Sequence, residues 1–391
     1  MGKLSLLMLI CIPLLTFGQN GNLPKVSTVK KAIPIYNLSN VEEKTTLTVS
    51  QLFDKVSYVK LETKEDNILG NVKWSIGVKY IVGYASKLGF YQFTSDGKYL
   101  RKLANYGKGP REVFYPSWTI SKDESHIYIY DQLKPKNLLC INLISGLFEK
   151  NIPIPLEGFL KNIELINDSI LICAPIPGEG KPASNYSLFW QSLSGKLIKN
   201  LPVKTKSKPV IPSENILYKV GDQLHYRPLN GDTIFQLTGY QLEPYIIIKS
   251  NDPLGDSDNK IGSSNIEVLI ETPNCFLVNY SILKSREVIG PGTIADQSIS
   301  KEYYIDKSKG KAYLISKYID DYIGDQVLPY SLINQASPRA YISVEAAVLI
   351  RQAKKIESDL KIKIKDHDKI INLANGISEF DNPVLIVESL K

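Results

Sequence analysis

Cysteine is scarce in this 391-residue sequence. Only four cysteines occur, and Cys11 lies in an apolar stretch near the N-terminus. Cys140, Cys173 and Cys275 each lie in an apolar run typical of a strand, so we expect buried free thiols, with one disulfide among them as the alternative. No CxxC spacing is present, and the sequence therefore predicts no metal site.

Histidine is also rare, and no familiar catalytic motif accompanies it. The three histidines, His126, His225 and His367, have no recognisable partner pattern, and neither a G-x-S-x-G elbow nor an HExxH motif occurs. We expect structural or surface roles for His126 and His225, and no catalytic residue can be assigned. The sequence predicts no cofactor; for the acidic stretch 251–259, a solvated loop is favoured over a weak calcium site.

Long hydrophobic runs are absent apart from one. An apolar run from Leu4 to Phe17 follows Lys3 and contains a proline. It has about 14 residues, whereas a helix that spans a bilayer needs roughly 20. We therefore predict a signal peptide at 1–18, with a membrane anchor as the alternative. The mature chain is expected to be periplasmic, associated with the outer membrane or extracellular, with no integral membrane segment; a lipoprotein is disfavoured because the large Ile10 precedes Cys11.

Charge is not concentrated in any one element. The formal net charge is +7, and the lysines are spread along the chain with mild clusters at 204–208 and 361–365. A nucleic-acid site needs basic residues interleaved with stacking aromatics on one element. We interpret the lysines as solvated surface and expect no nucleic-acid partner.

A repeated hairpin is the most informative pattern that is present. Apolar strands flank a glycine-containing turn at 90–103, 138–152 and 187–201. The turn glycines Gly97, Gly146 and Gly195 are spaced 49 residues apart, twice over. Glycine is favoured there because a tight hairpin turn needs a residue at positive φ. Looser copies carry Asn230-Gly231 within 227–239 and Gly310 within 302–316.

The period of this repeat predicts the fold. Further strands, such as 118–121 with 126–131 and 163–166 with 169–174, bring each period to about four strands. Four strands in a period of about 40 to 50 residues are typical of a propeller blade, and helical periodicity is almost absent before residue 340. We predict an all-β, six-bladed β-propeller at 45–391, after an N-terminal extension at 19–44. Ring closure should pair 383–390 with either 47–49 or 56–62.

One segment breaks the β pattern. Apolar residues at 346, 349, 353, 356 and 360 form one stripe of an amphipathic helix, with Ser343 as a candidate N-cap. A second short helix is predicted at 370–374, ended by Gly376. We expect this helical insertion, about 343–375, to pack against the side or mouth of the ring, with a partner-docking helix as the alternative.

Several segments together resemble a known family. The order LFDKVSYVKLET (52–63), FTSDGKYLRKL (93–103) and YGKGPREVFYP (106–116), with a DNPVLIVESLK ending, is similar to the six-bladed β-propeller family common among secreted proteins of Bacteroidota. The resemblance covers nearly the whole mature chain, and GKGPREV is its most specific element. It implies a six-bladed ring in or outside the cell envelope, often a lipoprotein, with biochemical activity largely unassigned. The sequence around Cys11 departs from the lipoprotein pattern.

The loop 106–112 is the strongest candidate site. It lacks the Lys-Ser/Thr of a P-loop and opens no helix, so nucleotide binding is excluded. One interpretation is a connecting loop in which Gly107 and Gly109 permit a bend, Pro110 fixes φ, and Arg111 or Glu112 makes a local salt bridge. The other places the loop at a channel mouth. Four residues are then candidates for contact with a polar or anionic ligand: Lys108, Arg111, Glu112 and Asp131.

A fold signal without a catalytic one favours a binding function. We expect an exported, non-catalytic scaffold that binds a protein, glycan or peptide in the cell envelope, in connection with nutrient handling. The alternative is a hydrolase or lyase acting on carbohydrate or a lactone through carboxylates at the propeller axis, for which Glu112, Asp131 and Asp320-Asp321 are available.

Overall fold

Short β-strands make up most of the described chain. The computed structural model describes residues 32–65, 67–70, 72–176, 182–203, 217–228, 231–252, 264–290, 293–324, 333–336, 339–358 and 364–390. The predicted signal peptide, Asn230 and most of the acidic stretch 251–259 lie outside these residues. No helix in the described ranges is long and apolar enough to cross a membrane.

The first three blades are regular four-stranded antiparallel sheets, each formed by one continuous stretch of chain. Three N-terminal strands precede blade 1 in the chain: β1 (Ile35–Asn37), β2 (Lys44–Thr48) and β3 (Phe53–Lys60). The blade strands are β4 (Val72–Ile76), β5 (Tyr80–Ala85), β6 (Gly89–Thr94) and β7 (Tyr99–Asn105) in blade 1; β8 (Pro116–Ile120), β9 (His126–Asp131), β10 (Asn137–Asn142) and β11 (Phe148–Pro153) in blade 2; and β12 (Leu160–Ile166), β13 (Ile170–Pro175), β14 (Tyr186–Ser192) and β15 (Leu197–Pro202) in blade 3.

The remaining three blades incorporate the N-terminal strands. Blade 4 has β1 added in parallel to its outer strand, blade 5 has β2 added in the same way, and blade 6 uses β3 as its own outer strand. The other strands are β16 (Leu217–Val220), β17 (Gln223–Tyr226), β18 (Thr233–Thr238) and β19 (Gln241–Lys249) in blade 4; β20 (Ser264–Glu271), β21 (Cys275–Gly290), β22 (Thr293–Asp306) and β23 (Lys311–Ile319) in blade 5; and β24 (Ile333–Ala336), β25 (Arg339–Val344) and β26 (Val384–Leu390) in blade 6.

The ring closes through blade 6. The C-terminal strand β26 pairs antiparallel with β3, so that Ile386 lies opposite Tyr58. This confirms one of the two predicted closures, the pairing of 56–62 with 383–390. The other candidate, 47–49, instead contributes Leu47 and Thr48 to β2, which pairs with β23. Strands from both chain ends are therefore held in one sheet, which leaves no open gap between the last blade and the first.

Glycine turns lie where the repeat predicts them in the first three blades. Gly97, Gly146 and Gly195 join the third and fourth strands and have φ values of 92°, 76° and 85°. The prediction was wrong in blade 4, where Gly231 precedes β18 and the corresponding turn contains Gly239, at a φ of 59°. The position is displaced because the tight turn between β18 and β19 lies at residues 239 and 240, at the end of the 227–239 segment, whereas Gly231 lies before β18.

The hydrophobic core is divided among the blade interfaces. A separate cluster of buried side chains lies between each pair of neighbouring blades; the cluster between blades 1 and 2, for example, brings Val82 and Phe90 against Ile127 and Ile129. A four-stranded sheet has two apolar faces, and each face is buried only when another blade covers it. Packing between blades, rather than within one blade, therefore stabilises the ring.

The predicted helical insertion lies between β25 and β26. Helix α2 (Ala346–Ser358) buries Ala346, Leu349, Ala353 and Ile356, which confirms the predicted stripe at these four positions, whereas residue 360 lies outside the described residues. Helix α3 (His367–Asn375) ends at Gly376. A short helix α1 (Val49–Leu52) joins the same apolar cluster between blades 5 and 6. Ser343 is not the N-cap, because β25 continues to Val344 before the helix begins. The predicted packing of the helical insertion against the ring is confirmed, because α2 and α3 share an apolar cluster with strands of blades 5 and 6.

The cysteines of the described chain are buried and unpaired. Cys140, Cys173 and Cys275 are free thiols with at most 2% of their surface exposed. Burial raises the pKa of Cys140 to about 11, with a smaller contribution from the charge of Glu149. The prediction of buried free thiols is confirmed for these residues.

Candidate functional site

The predicted loop 106–112 is held together by Glu112. Its side chain folds back so that Oε2 accepts a hydrogen bond from the backbone N–H of Gly109 at 2.7 Å. Gly107 has a φ of 152°, and a Cβ there would lie 2.1 Å from the same oxygen. Glycine is favoured at this position because other residues rarely adopt such a φ, and a side chain there would also displace the Glu112 carboxylate from Gly109.

Asp131 and Lys134 anchor the loop to blade 2. The buried Asp131 carboxylate accepts hydrogen bonds from the backbone N–H groups of Phe114, Tyr115 and Leu133 at 3.2, 3.4 and 3.0 Å. The Lys134 ammonium donates to the carbonyl oxygens of Gly109 and Glu112. Asp131 is only 2% exposed and also lies 3.8 Å from Lys134 Nζ, so it holds the segments that flank β8 and β9 and positions the lysine that contacts the loop.

The basic side chains of the loop lie over aromatic rings. Lys108 Nζ is 5.7 Å from the centre of the Phe114 ring, and the Arg111 guanidinium is 4.8 Å from that of Phe148. Pro110 is exposed between them. The structure therefore gives Glu112, Asp131, Lys108 and Arg111 local contacts, as the connecting-loop interpretation expects, although Glu112 bonds to backbone rather than forming a salt bridge. Contact of these residues with a ligand stays a prediction.

A cavity of about 750 Å³ lies at the channel, away from this loop. Its walls include the innermost strands of blades 1 to 4, which are β4, β8, β12 and β16, together with the turns that follow them. The loop 106–112 enters β8 at the opposite end of that strand. None of Lys108, Arg111, Glu112 and Asp131 is among the residues that line the cavity.

Three lysines and one glutamate project from the inner strands that line the cavity. Lys73 belongs to β4, Lys161 and Glu164 to β12, and Lys219 to β16. Lys219 Nζ lies 3.0 Å from Glu164 Oε2, which also accepts a hydrogen bond from the Thr119 hydroxyl at 3.2 Å. Glu164 thus joins blades 2, 3 and 4, and the inner strands carry three lysines against this one carboxylate.

Lys73, on the inner strand of blade 1, combines a contact with an aromatic ring and a lowered pKa. Its Nζ lies 5.2 Å from the centre of the Trp118 ring, and among the described residues it forms no ion pair. Enclosure by the ring lowers the pKa of Lys73, and the neighbouring charge of Lys161 lowers it further, while Glu164 raises it. An anion bound beside Lys73 would oppose both effects, because it favours the protonated ammonium.

Acidic residues at the cavity rim are already engaged by backbone groups. Glu124 accepts hydrogen bonds from the N–H groups of residues 78, 79 and 80 at 2.6, 2.8 and 2.9 Å, and so ties the turn of blade 2 to that of blade 1. Asp168 does the same between blades 3 and 2 by accepting from the N–H of Lys122 at 2.7 Å. These two carboxylates therefore link the turns of neighbouring blades by hydrogen bonds.

Sequence reasoning missed the channel lysines. Lys73, Lys161 and Lys219 are separated by scores of residues and match no motif. Each is the second or third residue of an inner strand, in VKW, LKN and LYK. An alignment of the blades on their inner strands could have shown this shared position, whereas the glycine turns aligned only the outer hairpins.

A second polar cluster is buried between blades 4 and 5. Glu271, which is 0% exposed, accepts hydrogen bonds at Oε1 from Lys307 Nζ at 2.7 Å and at Oε2 from the Tyr218 hydroxyl at 2.8 Å. His225 Nδ1 lies 2.9 Å from the same Oε2. Burial raises the pKa of Glu271, but the hydrogen bond from His225 and the charge of Lys307 outweigh it, so that the pKa is lowered overall. This cluster confirms a buried structural role for His225.

Comparison with solved structures gave several matches. The crystal structure of "a Putative exported protein" from Bacteroides fragilis NCTC 9343 has a TM-score of 0.64 at 15% sequence identity, over 92% of this chain and 100% of that one. U3-55K gives a TM-score of 0.40 at 9% identity, over 85% of this chain and 98% of that one. At 15% identity, the match to the Bacteroides fragilis protein shows a shared fold only.

Family membership rests on the sequence match. No curated protein matches the chain. A family model matches residues 32–388, which include nearly every strand of the ring. The chain therefore belongs to the family described as Domain of unknown function (DUF4934).

Proposed function

We propose that this protein is an exported, non-catalytic binding protein of the cell envelope, whose channel receives the anionic group of a small ligand. The observation that carries the proposal is the charge on the inner strands of the cavity wall, where three lysines, Lys73, Lys161 and Lys219, accompany one carboxylate, Glu164. The other carboxylates of the wall lie on the turns and are already engaged, Glu124 and Asp168 by backbone N–H groups and Asp222 by Lys122. Lysine heads enclosed by protein attract anions more strongly than lysines on an open surface, because less water screens them.

The size of the cavity supports a small ligand. Its volume of about 750 Å³ falls within the roughly 300 to 1,000 Å³ that small-molecule sites occupy. Hydroxyl groups of Ser75 and Ser117 also line the cavity and add polar surface beside the lysines. An acidic oligosaccharide or a short acidic peptide combines the required charge with polar groups, and uptake of such molecules would be a nutrient-handling role.

Export is supported from two directions. The first residues carry a basic residue followed by a short apolar run, which is typical of a signal peptide. The structurally similar Bacteroides fragilis protein is named as exported. The compartment remains part of the proposal.

The alternative, a hydrolase or lyase that uses carboxylates at the axis, has less support. Among the described cavity residues, Glu164 is the single carboxylate on an inner strand, and it is paired with Lys219. Glu124 and Asp168 at the rim accept backbone hydrogen bonds. Paired-carboxylate chemistry needs two acids that face one substrate.

Binding to arrays tests the proposal. The purified protein should bind uronate-containing or sulfated oligosaccharides, or acidic peptides, in preference to neutral ones, and binding should weaken as salt is added. Lys73→Gln should reduce affinity about tenfold or more, because a charge-assisted hydrogen bond contributes about 1.5 to 3 kcal/mol.

The matched control is Lys354→Gln, since Lys354 is an exposed lysine on α2. This variant should bind as the unaltered protein does. Equal binding of neutral and acidic probes, or equal affinity in the Lys73 and Lys354 variants, would overturn the proposal. Hydrolysis of a probe without measurable binding would favour the enzyme.

A further inference from the structure

A cluster of three potential metal ligands lies on the face of blade 2 that meets blade 3. His126 begins β9, Cys140 lies within β10, and Glu149 lies in β11. One ligand atom from each residue lies within 4.8 Å of the other two. The cluster is separate from the channel cavity, since none of the three residues lines it.

Hydrogen bonds fix the orientation of the His126 ring. Ser125 donates its hydroxyl proton to Asp123 Oδ1 at 2.7 Å, while Ser125 Oγ lies 2.7 Å from His126 Nδ1. Hydrogen bonds from Ser121 and Ser125 lower the pKa of Asp123 to about 2, so that this carboxylate is an acceptor at neutral pH. With its only proton committed, Ser125 Oγ must accept from Nδ1–H. In the neutral ring, Nε2 then carries the lone pair.

That lone pair faces a second acceptor. His126 Nε2 lies 3.1 Å from Glu149 Oε2. Two acceptors at this distance repel each other unless a proton or a metal cation lies between them. Glu149 is held in place from its other side, where Oε1 accepts a hydrogen bond from the Asn142 amide at 2.9 Å. Both ligands therefore have the outer hydrogen-bond partners that metal ligands usually have.

The third ligand selects the kind of cation. Cys140 Sγ offers a soft ligand beside imidazole and carboxylate, a set that favours zinc over calcium or magnesium. Ligand atoms about 2.0 to 2.3 Å from a tetrahedral zinc lie about 3.5 Å apart, so a contraction of about 1 Å from the present limit suffices. The side chains of His126 and Glu149 are 27% and 40% exposed, which gives a cation access from solvent.

We propose that His126, Cys140 and Glu149 form a binding site for a zinc-like divalent cation. The cation bonds to Nε2, Sγ and a carboxylate oxygen, with water in the fourth position. The Cys140 thiol releases its proton to solvent on binding, so that the thiolate and the carboxylate together neutralise the cation. The site links the second, third and fourth strands of blade 2. No sequence motif shows it, because the three residues are contributed by three different strands.

Cobalt provides a spectroscopic probe of this site. The purified protein, reduced and freed of metal by a chelator, should bind one Co²⁺ per chain with a near-ultraviolet cobalt–thiolate absorption that added Zn²⁺ abolishes. Cys140→Ser should remove this absorption. Cys173→Ser, which alters a buried thiol of blade 3 outside the cluster, should retain it.

Glu149→Gln gives a test that does not depend on altering a buried residue. Its partly exposed side chain should leave folding intact, while affinity for Co²⁺ falls about tenfold or more. Saturating Zn²⁺ should raise the Tm of the unaltered protein more than that of the variant. An absence of cobalt–thiolate absorption, its survival in Cys140→Ser, or equal Tm shifts in both proteins would overturn the proposal and leave a His126–Glu149 ion pair only.

Discussion

Gly97 shows how one residue can be required for two independent reasons. Its φ of 92° is unfavourable for other residues, and a Cβ would lie 2.2 Å from the carbonyl oxygen of Lys60 in β3. Gly221 also has a positive φ, of 59°, but no atom lies within 4 Å of the position that its Cβ would take. The two glycines therefore separate backbone strain from a steric clash.

Gly97→Ala is expected to lower the free energy of unfolding more than Gly221→Ala. Backbone strain alone costs about 1 to 2 kcal/mol, and the overlap with the Lys60 carbonyl should add about 1 to 3 kcal/mol in the Gly97 variant. Urea denaturation of both variants measures the difference. Equal losses would show that the carbonyl of Lys60 moves aside without cost.

Single residues differ in how far the sequence predicts them. Gly97, Gly146 and Gly195 could be placed in turns because the requirement for positive φ is local. The association of Lys73 with Lys161, like that of His126 with Glu149, depends on which strands become neighbours. Strand register and the packing of the blades determine which side chains become neighbours, and no local sequence pattern indicates either.

The C-terminal strand β26 is the element on which ring closure depends. It lies between β25 and β3, and its residues Val384, Leu385, Ile386 and Val387 are at most 3% exposed. A chain that ends after Asp381 lacks this strand, so that β3 loses its partner and two blade interfaces lose buried surface. We expect such a chain to show no cooperative thermal transition.

A conservative substitution in the same strand is the control for this truncation. Ile386→Val should cost only about 0.5 to 1.5 kcal/mol and retain a single cooperative transition. Circular dichroism during heating distinguishes the outcomes. A truncated chain with an unchanged melting curve would show that the ring does not need β26.

Elements with a local turn signal could be predicted, whereas those paired across the chain could not. The hairpins at 90–103 and 138–152 are marked by their own glycines. The parallel pairing of β1 with β19 and of β2 with β23 has no turn to mark it. Helix α2 was recognisable from its apolar stripe, but its start was not, because Ser343 fits a cap and a strand equally well.

At the scale of the whole molecule, blade interfaces carry charges as well as apolar side chains. The buried Glu271 of blade 5 contacts His225 and Tyr218 of blade 4, and the overall pKa of its carboxyl is lowered from the ordinary 4.5. The folded protein therefore retains a charged Glu271 at a pH where the unfolded chain takes up a proton. Glu271 contributes stability above pH 4.5, and the contribution is lost as the pH falls through the folded-state pKa.

Glu271→Gln is expected to destabilise the ring at pH 7 by about 3 to 5 kcal/mol, because Lys307, whose side chain is only 12% exposed, loses its anionic partner. The difference from the unaltered protein should shrink as the pH falls below 4.5. Urea denaturation at pH 7 and at pH 4 measures both effects. Glu357→Gln, at an exposed position of α2, should change neither, and a pH-independent difference for Glu271→Gln would contradict the assignment.

The three N-terminal strands have a consequence for biosynthesis. Strands β1, β2 and β3 are synthesised before the other strands of the ring, yet their partners β19, β23 and β26 belong to the later blades. Blades 1 to 3 can form co-translationally from contiguous chain, whereas the first strands must wait for distant partners, which slows folding. A nascent chain interrupted after blade 3 would present three unpaired strands as templates for aggregation. Synthesis of β26 is therefore the step that must precede closure of the ring.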